Sequence, residues 1–131
     1  RPLSLMMLDI DHFKKINDSY GHAIGDDVLI EFCQICQQHV RNIDFVARIG
    51  GEEFVVLMPE TDLKQAYILA ERIRAAIDEH TVIVNDEVIR FTVSIGVAEW
   101  SSSGCKYFDD LLACADQRLY AAKEIGRNRV I

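Results

Sequence analysis

Three acidic side chains stand where strand-like segments end, a placement from which carboxylates can hold a metal ion. Asp9 closes an apolar run near the start of the chain, and Glu52 and Glu53 lie in a turn between two β-rich runs. Phosphoryl transfer assisted by two metal ions needs carboxylates from separate elements, because they must neutralise Mg²⁺ and leave positions open for water and phosphate. If these strands are neighbours, the three carboxylates face one crevice and form such a site.

Each of these acids also has an ordinary explanation. Glu52 and Glu53 are typical of a solvated turn, and Asp9 is typical of an acid near a helix start. Gly50 and Gly51, which precede the glutamates, would let a bulky triphosphate approach the backbone closely. The residues by themselves therefore leave both a metal site and a plain acidic hairpin turn open.

The first third of the chain is predicted to form the strand and the two helices that place Asp9. The apolar run Leu3–Ile10 is typical of a central strand that is buried on both faces. Residues 11–20 are predicted to be helical with Asp11 as the N-cap, and Gly21 ends that helix. A longer helix is predicted over residues 26–41, from its apolar stripe and the start signal before it.

The rest of the chain is predicted to add a hairpin around the two glutamates, two helices and further strands. Two β-rich runs around a glycine-bearing turn favour an antiparallel hairpin, and apolar residues at helical spacing indicate the helices. The order of elements is typical of an α+β fold rather than of a parallel βαβ repeat. The predicted segments are a hairpin of 45–49 and 54–58, a helix over 63–77, a small hairpin of 81–84 and 87–90, a strand over 91–97, a loop over 101–104, a helix over 108–122 and an edge strand over 129–131.

The composition predicts one domain over residues 1–131 with a core of its own. Half of the residues are apolar, and the formal net charge is -7. This charge argues against a nucleic-acid partner, because such proteins neutralise backbone phosphates with clustered Lys and Arg. A nucleotide substrate remains compatible with it, since a bound divalent metal recruits phosphates to an acidic site.

The sequence favours a soluble domain that belongs to a longer protein. No apolar run approaches the roughly 20 residues that cross a bilayer, so we expect a cytoplasmic domain without direct membrane contact. The chain opens at Arg1 and Pro2, without a starting Met and one residue before a strand-like segment. We therefore expect a fragment, and membrane anchoring of the full-length protein stays open.

Two of the four cysteines, Cys33 and Cys36, have the C-x-x-C spacing of some metal and redox sites. They continue an apolar helical stripe with Phe32 and Val40, and free cysteine is among the most buried residue types. No second cysteine pair or nearby histidine completes a zinc set. We interpret both as small core residues.

Four separated motifs resemble those of the GGDEF domain of diguanylate cyclases, in the same order and at compatible spacing. The likeness spans essentially the whole chain and implies a Mg²⁺-dependent enzyme that joins two GTP molecules into cyclic di-GMP. It also implies a mainly antiparallel, five-stranded central sheet flanked by helices, similar to adenylate cyclase catalytic domains and polymerase palms. The motifs are Asp-Ile-Asp-His-Phe-Lys-Lys-Ile-Asn-Asp at 9–18, Tyr-Gly-His with Gly-Asp at 20–26, Gly-Gly-Glu-Glu-Phe at 50–54, and the segment 115–128 with Ala-Asp, Leu-Tyr, Ala-Lys and Gly-Arg-Asn.

The resemblance assigns the metal to the two acidic positions. Asp9, the backbone carbonyl of Ile10, Glu52 and Glu53 would hold Mg²⁺, or Mn²⁺ in its place, with two ions in each half of the active site. One glutamate would be mainly a ligand and the other would help to deprotonate the 3′-hydroxyl of GTP. Which of the two has which role stays open.

The resemblance also implies a set of contacts with GTP. Asn17 and Asp26 would read guanine, although Asp26 is equally typical of a helix N-cap. His22 would line the base pocket, with a structural histidine as the alternative. Main-chain N–H groups at a helix start would face the phosphates, and cationic side chains would add charge there; these residues are His12, Phe13, Lys14, Lys123 and Arg127.

A second ligand site is implied just upstream of the hairpin. Arg41 and Asp44 fit an R-x-x-D pattern that forms a product-inhibitory site in many relatives. Arg pairs bidentately with phosphate, and Asp can accept from the guanine edge. Arg72 would be an additional contact, with a solvent-facing helix arginine as the ordinary reading.

Making two symmetric phosphodiester bonds implies a homodimer that meets face to face with one GTP in each half. The family usually carries a further helical segment with a D-x-L-T-G-L-x-N-R-R type motif before the first strand, which this sequence does not include. Two rival functions remain: a module that senses GTP or cyclic di-GMP without catalysis, and a cyclase with a monocyclic product.

Overall fold

The computed structural model describes residues 1–101 and 104–131. The expected loop over 101–104 therefore falls partly outside the described residues, at Ser102 and Ser103. In chain order the elements are β1 Leu3–Ile10, α1 Phe13–Tyr20, α2 His22–His39, β2 Phe45–Arg48, β3 Glu53–Pro59, α3 Leu63–Glu79, β4 Val82–Val84, β5 Glu87–Ile89, β6 Val93–Glu99 and α4 Phe108–Ile125.

The α+β class and the antiparallel central sheet are confirmed, but the number of strands differs from the expected five. The main sheet has four antiparallel strands in the order β2-β3-β1-β6, and β4 and β5 form a separate hairpin. Residues 129–131 run beside β6 through an isolated bridge between Val130 and Ile95. The main chain of this segment is hydrogen-bonded to Ile95 and Val97, along the edge of β6.

Each face of the sheet buries one of the two cores. Alternation along β1 sends Met6 and Leu8 to the side covered by α1, α2 and α3, and Leu5 and Met7 to the side covered by α4. Because β1 is paired on both sides, nearly all of its side chains are buried. Within residues 1–101 and 104–131, no helix is long and apolar enough to cross a membrane.

Two predicted helix starts are wrong. Asp11 does not cap α1, which begins at Phe13. Its carboxylate instead accepts hydrogen bonds from the hydroxyl of Ser94 on β6 and from that of Thr92, just before β6. The second helix begins at His22, so Asp26 lies inside it and cannot be its N-cap. Gly21, at φ 93°, connects the two helices directly: its N–H donates to Asn17 O, and its carbonyl accepts from Gly25 N–H.

The cysteines of α2 are structural, as predicted. Cys36 is fully buried, and burial raises the pKa of its thiol to about 12, while Cys33 packs at the edge of the same core. A disulfide that the sequence did not predict joins Cys105, in the segment before α4, to Cys114 on that helix. It fastens the start of α4 on the face of the sheet opposite α2.

We expect Gly96→Ala to destabilise the domain, because β6 and α4 are in direct backbone contact there. A Cβ at Gly96 would lie 2.1 Å from the carbonyl oxygen of Ala115 and 2.2 Å from the amide nitrogen of Leu119. The helix would have to move, and such overpacking costs about 1–3 kcal/mol of unfolding free energy. Urea unfolding monitored by circular dichroism measures this change.

Gly104→Ala is the matched control, since an added Cβ there meets no atom within 4 Å. Equal free energies of unfolding for the two variants would contradict the close seating of α4 on β6.

Candidate active site

The end of the central strand brings two carboxylates together. Asp9 on β1 and Glu53 on β3 are register partners, so their side chains share one face of the sheet. That face is the one covered by α4, because Asp9 follows Leu5 and Met7 at two-residue spacing. The expectation that the two acidic segments are neighbours is therefore correct.

Asp9 is almost fully enclosed and meets a cation. Its carboxylate is 5% exposed and forms an ion pair with Lys123, which reaches across from the last turn of α4. Burial raises the pKa of Asp9 above its usual value, and the nearby Asp11 carboxylate raises it further. The hydrogen bond and charge of Lys123, with a smaller contribution from Arg127, oppose that rise. Lys123 and Arg127 thus both lie close to the acidic strand end.

The hairpin turn is fastened from both sides. Arg48 Nε donates to the Gly50 and Gly51 carbonyls at 3.0 and 3.1 Å, and its Nη2 donates to Gly51 O at 2.7 Å. Ile10 N–H donates to Glu52 O at 3.3 Å, which ties the turn to β1. The sequence reading missed Arg48; its position just before the two glycines was the available signal.

The Glu53 side chain folds back over Gly50. A Cβ at this position would lie 2.9 Å from Glu53 Oε1. A larger residue at position 50 would therefore push the Glu53 carboxylate away from its place above the turn.

A pocket of about 440 Å³ opens between α1, α2 and the hairpin turn. This volume suits a ligand of nucleotide size. The pocket gathers most of the expected substrate residues, although they come from three elements. Its lining residues are Phe13, Lys14, Asn17, His22, Asp26, Leu29, Arg48, Gly51 and Glu52.

One atom of this pocket is buried without a partner. Asn17 Oδ1 has no hydrogen-bond partner within the described part of the chain, and an unsatisfied buried acceptor is costly. The absence of a side chain on Gly25 leaves it room, since a Cβ there would lie 1.8 Å from this oxygen. A ligand with N–H donors on its edge, as guanine has, would satisfy this acceptor.

The remaining expected residues lie at the rim or elsewhere. The Ile10 side chain is buried in the core, so only its main chain is available. His12 is exposed, adopts a left-handed φ of 56° and lines a separate cavity of about 310 Å³ with Asp11. No capping side chain accepts a hydrogen bond at the start of α1, so none competes with a ligand for the N–H groups of its first turn.

The Arg-x-x-Asp segment forms its own cluster beside α3. Arg41 Nη2 donates to Asp44 Oδ1 at 3.1 Å and to Pro59 O at 2.7 Å, and it also reaches the hydroxyl of Thr61. The Asp44 side chain is fully enclosed by these contacts. Arg41 and Arg72 line one cavity of about 180 Å³, so the structure does bring the two expected arginines together.

The donor set at the strand end suits Mg²⁺. No group of three or more His, Cys, Asp or Glu side chains converges in residues 1–101 and 104–131. Mg²⁺, however, is usually bound through one or two carboxylates plus substrate phosphates, rather than by an all-protein cage. Asp9 and Glu53, with the Ile10 carbonyl beside them, provide oxygen ligands of that kind.

The chain matches proteins of a known family. A family model described as "Diguanylate cyclase, GGDEF domain" matches residues 1–129. Diguanylate cyclase A of Treponema denticola is 44% identical over 128 residues, which cover 98% of this chain and 34% of that protein. The response regulator PleD of Caulobacter vibrioides is 47% identical over 132 residues, covering 99% of this chain and 29% of that protein. The chain thus spans about a third of the length of these relatives.

Solved structures agree with this match. The active GGEEF domain of a diguanylate cyclase from Vibrio cholerae superposes with a TM-score of 0.92 at 37% identity, covering 99% of this chain and 81% of that one. The GGDEF domain of DgcB from Caulobacter crescentus, solved in complex with c-di-GMP, gives 0.93 at 34% identity, covering 98% and 76%.

Fold and site together define an α+β domain that sets carboxylates of two neighbouring strands beside a nucleotide-sized pocket. This chain belongs to the family of GGDEF domains.

We expect Asp9→Asn to raise the melting temperature at neutral pH. Burial raises the pKa of Asp9 in the folded state, so its ionised form costs stability above that folded pKa. The cost disappears as the pH falls through the folded pKa, and asparagine removes the charge at all pH values. The difference in melting temperature between variant and wild type should therefore shrink in acid, as measured by calorimetry over a pH series.

Asp18→Asn is the control, because Asp18 is exposed on α1. A lower melting temperature for Asp9→Asn at neutral pH would mean that the Lys123 ion pair outweighs the burial cost.

Proposed function

We propose that this chain is the catalytic domain of a diguanylate cyclase, which condenses two GTP into cyclic di-GMP and releases two pyrophosphates. The observation that carries the proposal is the Asp9–Glu53 carboxylate pair beside a pocket whose Asn17 acceptor lacks a partner. A metal-bound triphosphate and a base with N–H donors complement these two features. Membership of the family supports the same activity.

Asn17 and Asp26 would select guanine from opposite sides of the pocket. Both present oxygen acceptors, and guanine offers donors at N1–H and N2–H₂ where adenine has none. Asn17 Oδ1 is buried, and a buried acceptor that stays unpaired with the wrong base discriminates strongly, whereas Asp26 is exposed at the pocket. In this proposal His22, which lines the same pocket, packs against the base rather than reading it.

The two hairpin glutamates would divide the chemistry between them. Glu53 is the register partner of Asp9, so we assign it to the metal, whereas Glu52 lines the base pocket. We assign Glu52 to the proton of the attacking 3′-hydroxyl. Bound Mg²⁺ or Mn²⁺, two ions in each half-site, supplies charge neutralisation for the phosphates and lowers the pKa of that hydroxyl.

The triphosphate would lie between the start of α1 and the end of α4. First-turn N–H groups around His12 and Phe13 face the phosphates, with Lys14 adding charge. Lys123 and Arg127 approach from the opposite side, at the Asp9 strand end. In this proposal they stabilise the charge that grows on the leaving pyrophosphate, which is transition-state rather than ground-state binding.

Each chain provides half of the reaction. The product contains two equivalent phosphodiester bonds, so each 3′-hydroxyl must attack the α-phosphorus held by the other chain. A two-fold symmetric homodimer meets this need. Catalysis in it is mostly positioning and electrostatics.

The activity test is to incubate the protein at high concentration with GTP and Mg²⁺ and to identify products by mass spectrometry. Cyclic di-GMP and pyrophosphate in a 1:2 ratio are expected from the reaction stoichiometry. A monocyclic nucleotide would support a different cyclase, and bound but unconverted GTP would support a sensing module.

We expect Glu53→Gln to lower turnover at least about a hundredfold, because it removes a carboxylate from the metal-binding pair. Glu52→Gln should lower turnover as well but keep the affinity for Mg²⁺ in the presence of a non-hydrolysable GTP analogue, measured by calorimetry. Glu79→Gln, at an exposed end of α3, is the charge-matched control. Wild-type turnover in Glu53→Gln would remove the assignment.

We propose in addition that cyclic di-GMP inhibits the enzyme at the cavity of Arg41 and Arg72. Both arginines line it, and a phosphodiester is a ligand that guanidinium groups suit. Asp44 is already engaged by Arg41, so the ligand must share or displace that contact.

We expect Arg72→Ala to weaken inhibition by added cyclic di-GMP about tenfold, since it removes one phosphate contact. Arg41→Ala should act in the same direction but also loses its contacts with Pro59 and Thr61, so Arg72 is the cleaner probe. Initial rates at increasing cyclic di-GMP give the inhibition constants. Unchanged constants in both variants would remove the regulatory site.

A further inference from the structure

The turn that follows α4 has an unusual backbone. Gly126, Arg127 and Asn128 have φ values of 137°, 64° and 47°, so three successive residues have positive φ. For residues other than glycine this conformation costs of order 1 kcal/mol or more, and it persists only where the surroundings fix it. A helix C-terminus needs only the glycine. The two residues that follow must therefore be held by something else.

Side chains from two other segments of the chain hold this turn, and a neighbour in sequence adds a third contact. Asp11 Oδ2 accepts from the main-chain N–H of Asn128 at 3.0 Å. Arg74, on α3, donates through Nη1 to the side-chain oxygen of Asn128 at 2.8 Å. Arg129 Nε donates to Arg127 O at 3.0 Å. The N–H groups of Gly126 and Arg127 find carbonyls of the last turn of α4, as at any helix end. Asn128 is thus gripped at both its main chain and its side chain.

Both holding groups are themselves fixed. Asp11 is 4% exposed and accepts from Thr92 Oγ1 at 2.6 Å and from Ser94 Oγ at 2.7 Å. Arg74 is aligned on its own helix by Glu71, at 2.6 Å, and by Asp78, at 3.7 Å. The position of the turn is therefore fixed relative to both β6 and α3.

The hydrogen bonds of Asp11 define a geometry rather than neutralise its charge. A buried carboxylate bound only by neutral donors contributes little compared with an apolar residue of similar volume, because its desolvation offsets its hydrogen bonds. Among the described residues no Lys, Arg or His forms an ion pair with Asp11. What it does achieve is a single geometry for the backbone of Arg127.

We propose that Asp11 and Arg74 are positioning residues, which act through Asn128 to aim Arg127 at the phosphates beside Asp9. The inference rests on the proposed function, in which Arg127 binds the leaving pyrophosphate. Arg74 contacts Asn128 and the two acids of its own helix. Its influence on the site therefore passes through the turn.

Arg74→Gln is expected to lower kcat about tenfold while the KM for GTP changes little, because a small displacement of a catalytic group is expensive in the transition state. Asn128→Gly should have the same effect: it tolerates the positive φ but removes the side chain that Arg74 holds. Lys64→Gln, an exposed lysine on the same helix, is the charge-matched control.

The decisive measurement is a double-mutant cycle with Arg127→Ala. If Arg74 acts through Arg127, Arg74→Gln has no further effect on kcat once Arg127 is alanine, whereas general destabilisation adds in both backgrounds. Melting temperatures of all variants distinguish destabilisation of the fold from misplacement of the Arg127 side chain. Additive effects, or a rise in KM with unchanged kcat, would overturn the inference.

The same double-mutant cycle can be measured without turnover, with the affinity for Mg²⁺-pyrophosphate, determined by calorimetry, in place of kcat. Affinity should fall about tenfold in Arg74→Gln and Asn128→Gly, and no further when Arg127→Ala is added. A protein that forms no cyclic di-GMP but shows this coupling would sink the proposed function and keep the positioning role. An active protein whose affinity for pyrophosphate is unchanged in the Arg74 and Asn128 variants would keep the proposed function and contradict the positioning role.

Discussion

The structure depends on one constraint, the antiparallel pairing of β1 with a neighbour on each side. Because β1 is central, its register with β3 decides which side chain of the hairpin turn meets Asp9, and that side chain is Glu53. A slip of one residue would send Glu53 to the opposite face and put Glu52 in its place. The buried alternation on both faces of β1 opposes such a slip, so core packing and active-site geometry are enforced by the same residues.

The same constraint explains why α4 supplies the cations. Asp9 points to the face that α4 covers, and the helix lies against β6 so closely that only glycine fits at position 96. Its last turn therefore ends above the acidic strand end, where Lys123 meets Asp9. The buried negative charge needs a partner, and Lys123 is in a position to be that partner.

Local sequence patterns predicted most of this architecture, including the hairpin around Gly50 and Gly51 and the helices after it. Their failures have a common physical cause: long-range contacts decided the outcome. Asp11 has the composition of a helix cap, yet hydroxyls of β6, more than eighty residues away in sequence, compete for its carboxylate and win. The small hairpin of β4 and β5 was predicted correctly from its own pattern, whereas the number of strands in the main sheet depends on distant pairings and was not.

The site shows the same division between local and distant information. The spacing of the two glutamates and Asp9 left a metal site and a plain acidic turn both open, and the resemblance to a family favoured the metal site and placed Lys123 and Arg127 near it. Arg74 carried no such signal, because a helix arginine flanked by acids is ordinary surface sequence. Its meaning lies in the left-handed backbone of Arg127 and Asn128, which sequence patterns do not describe. Residues that touch a substrate tend to be visible in a motif, whereas residues that hold those residues in place become visible only once the chain has folded around them.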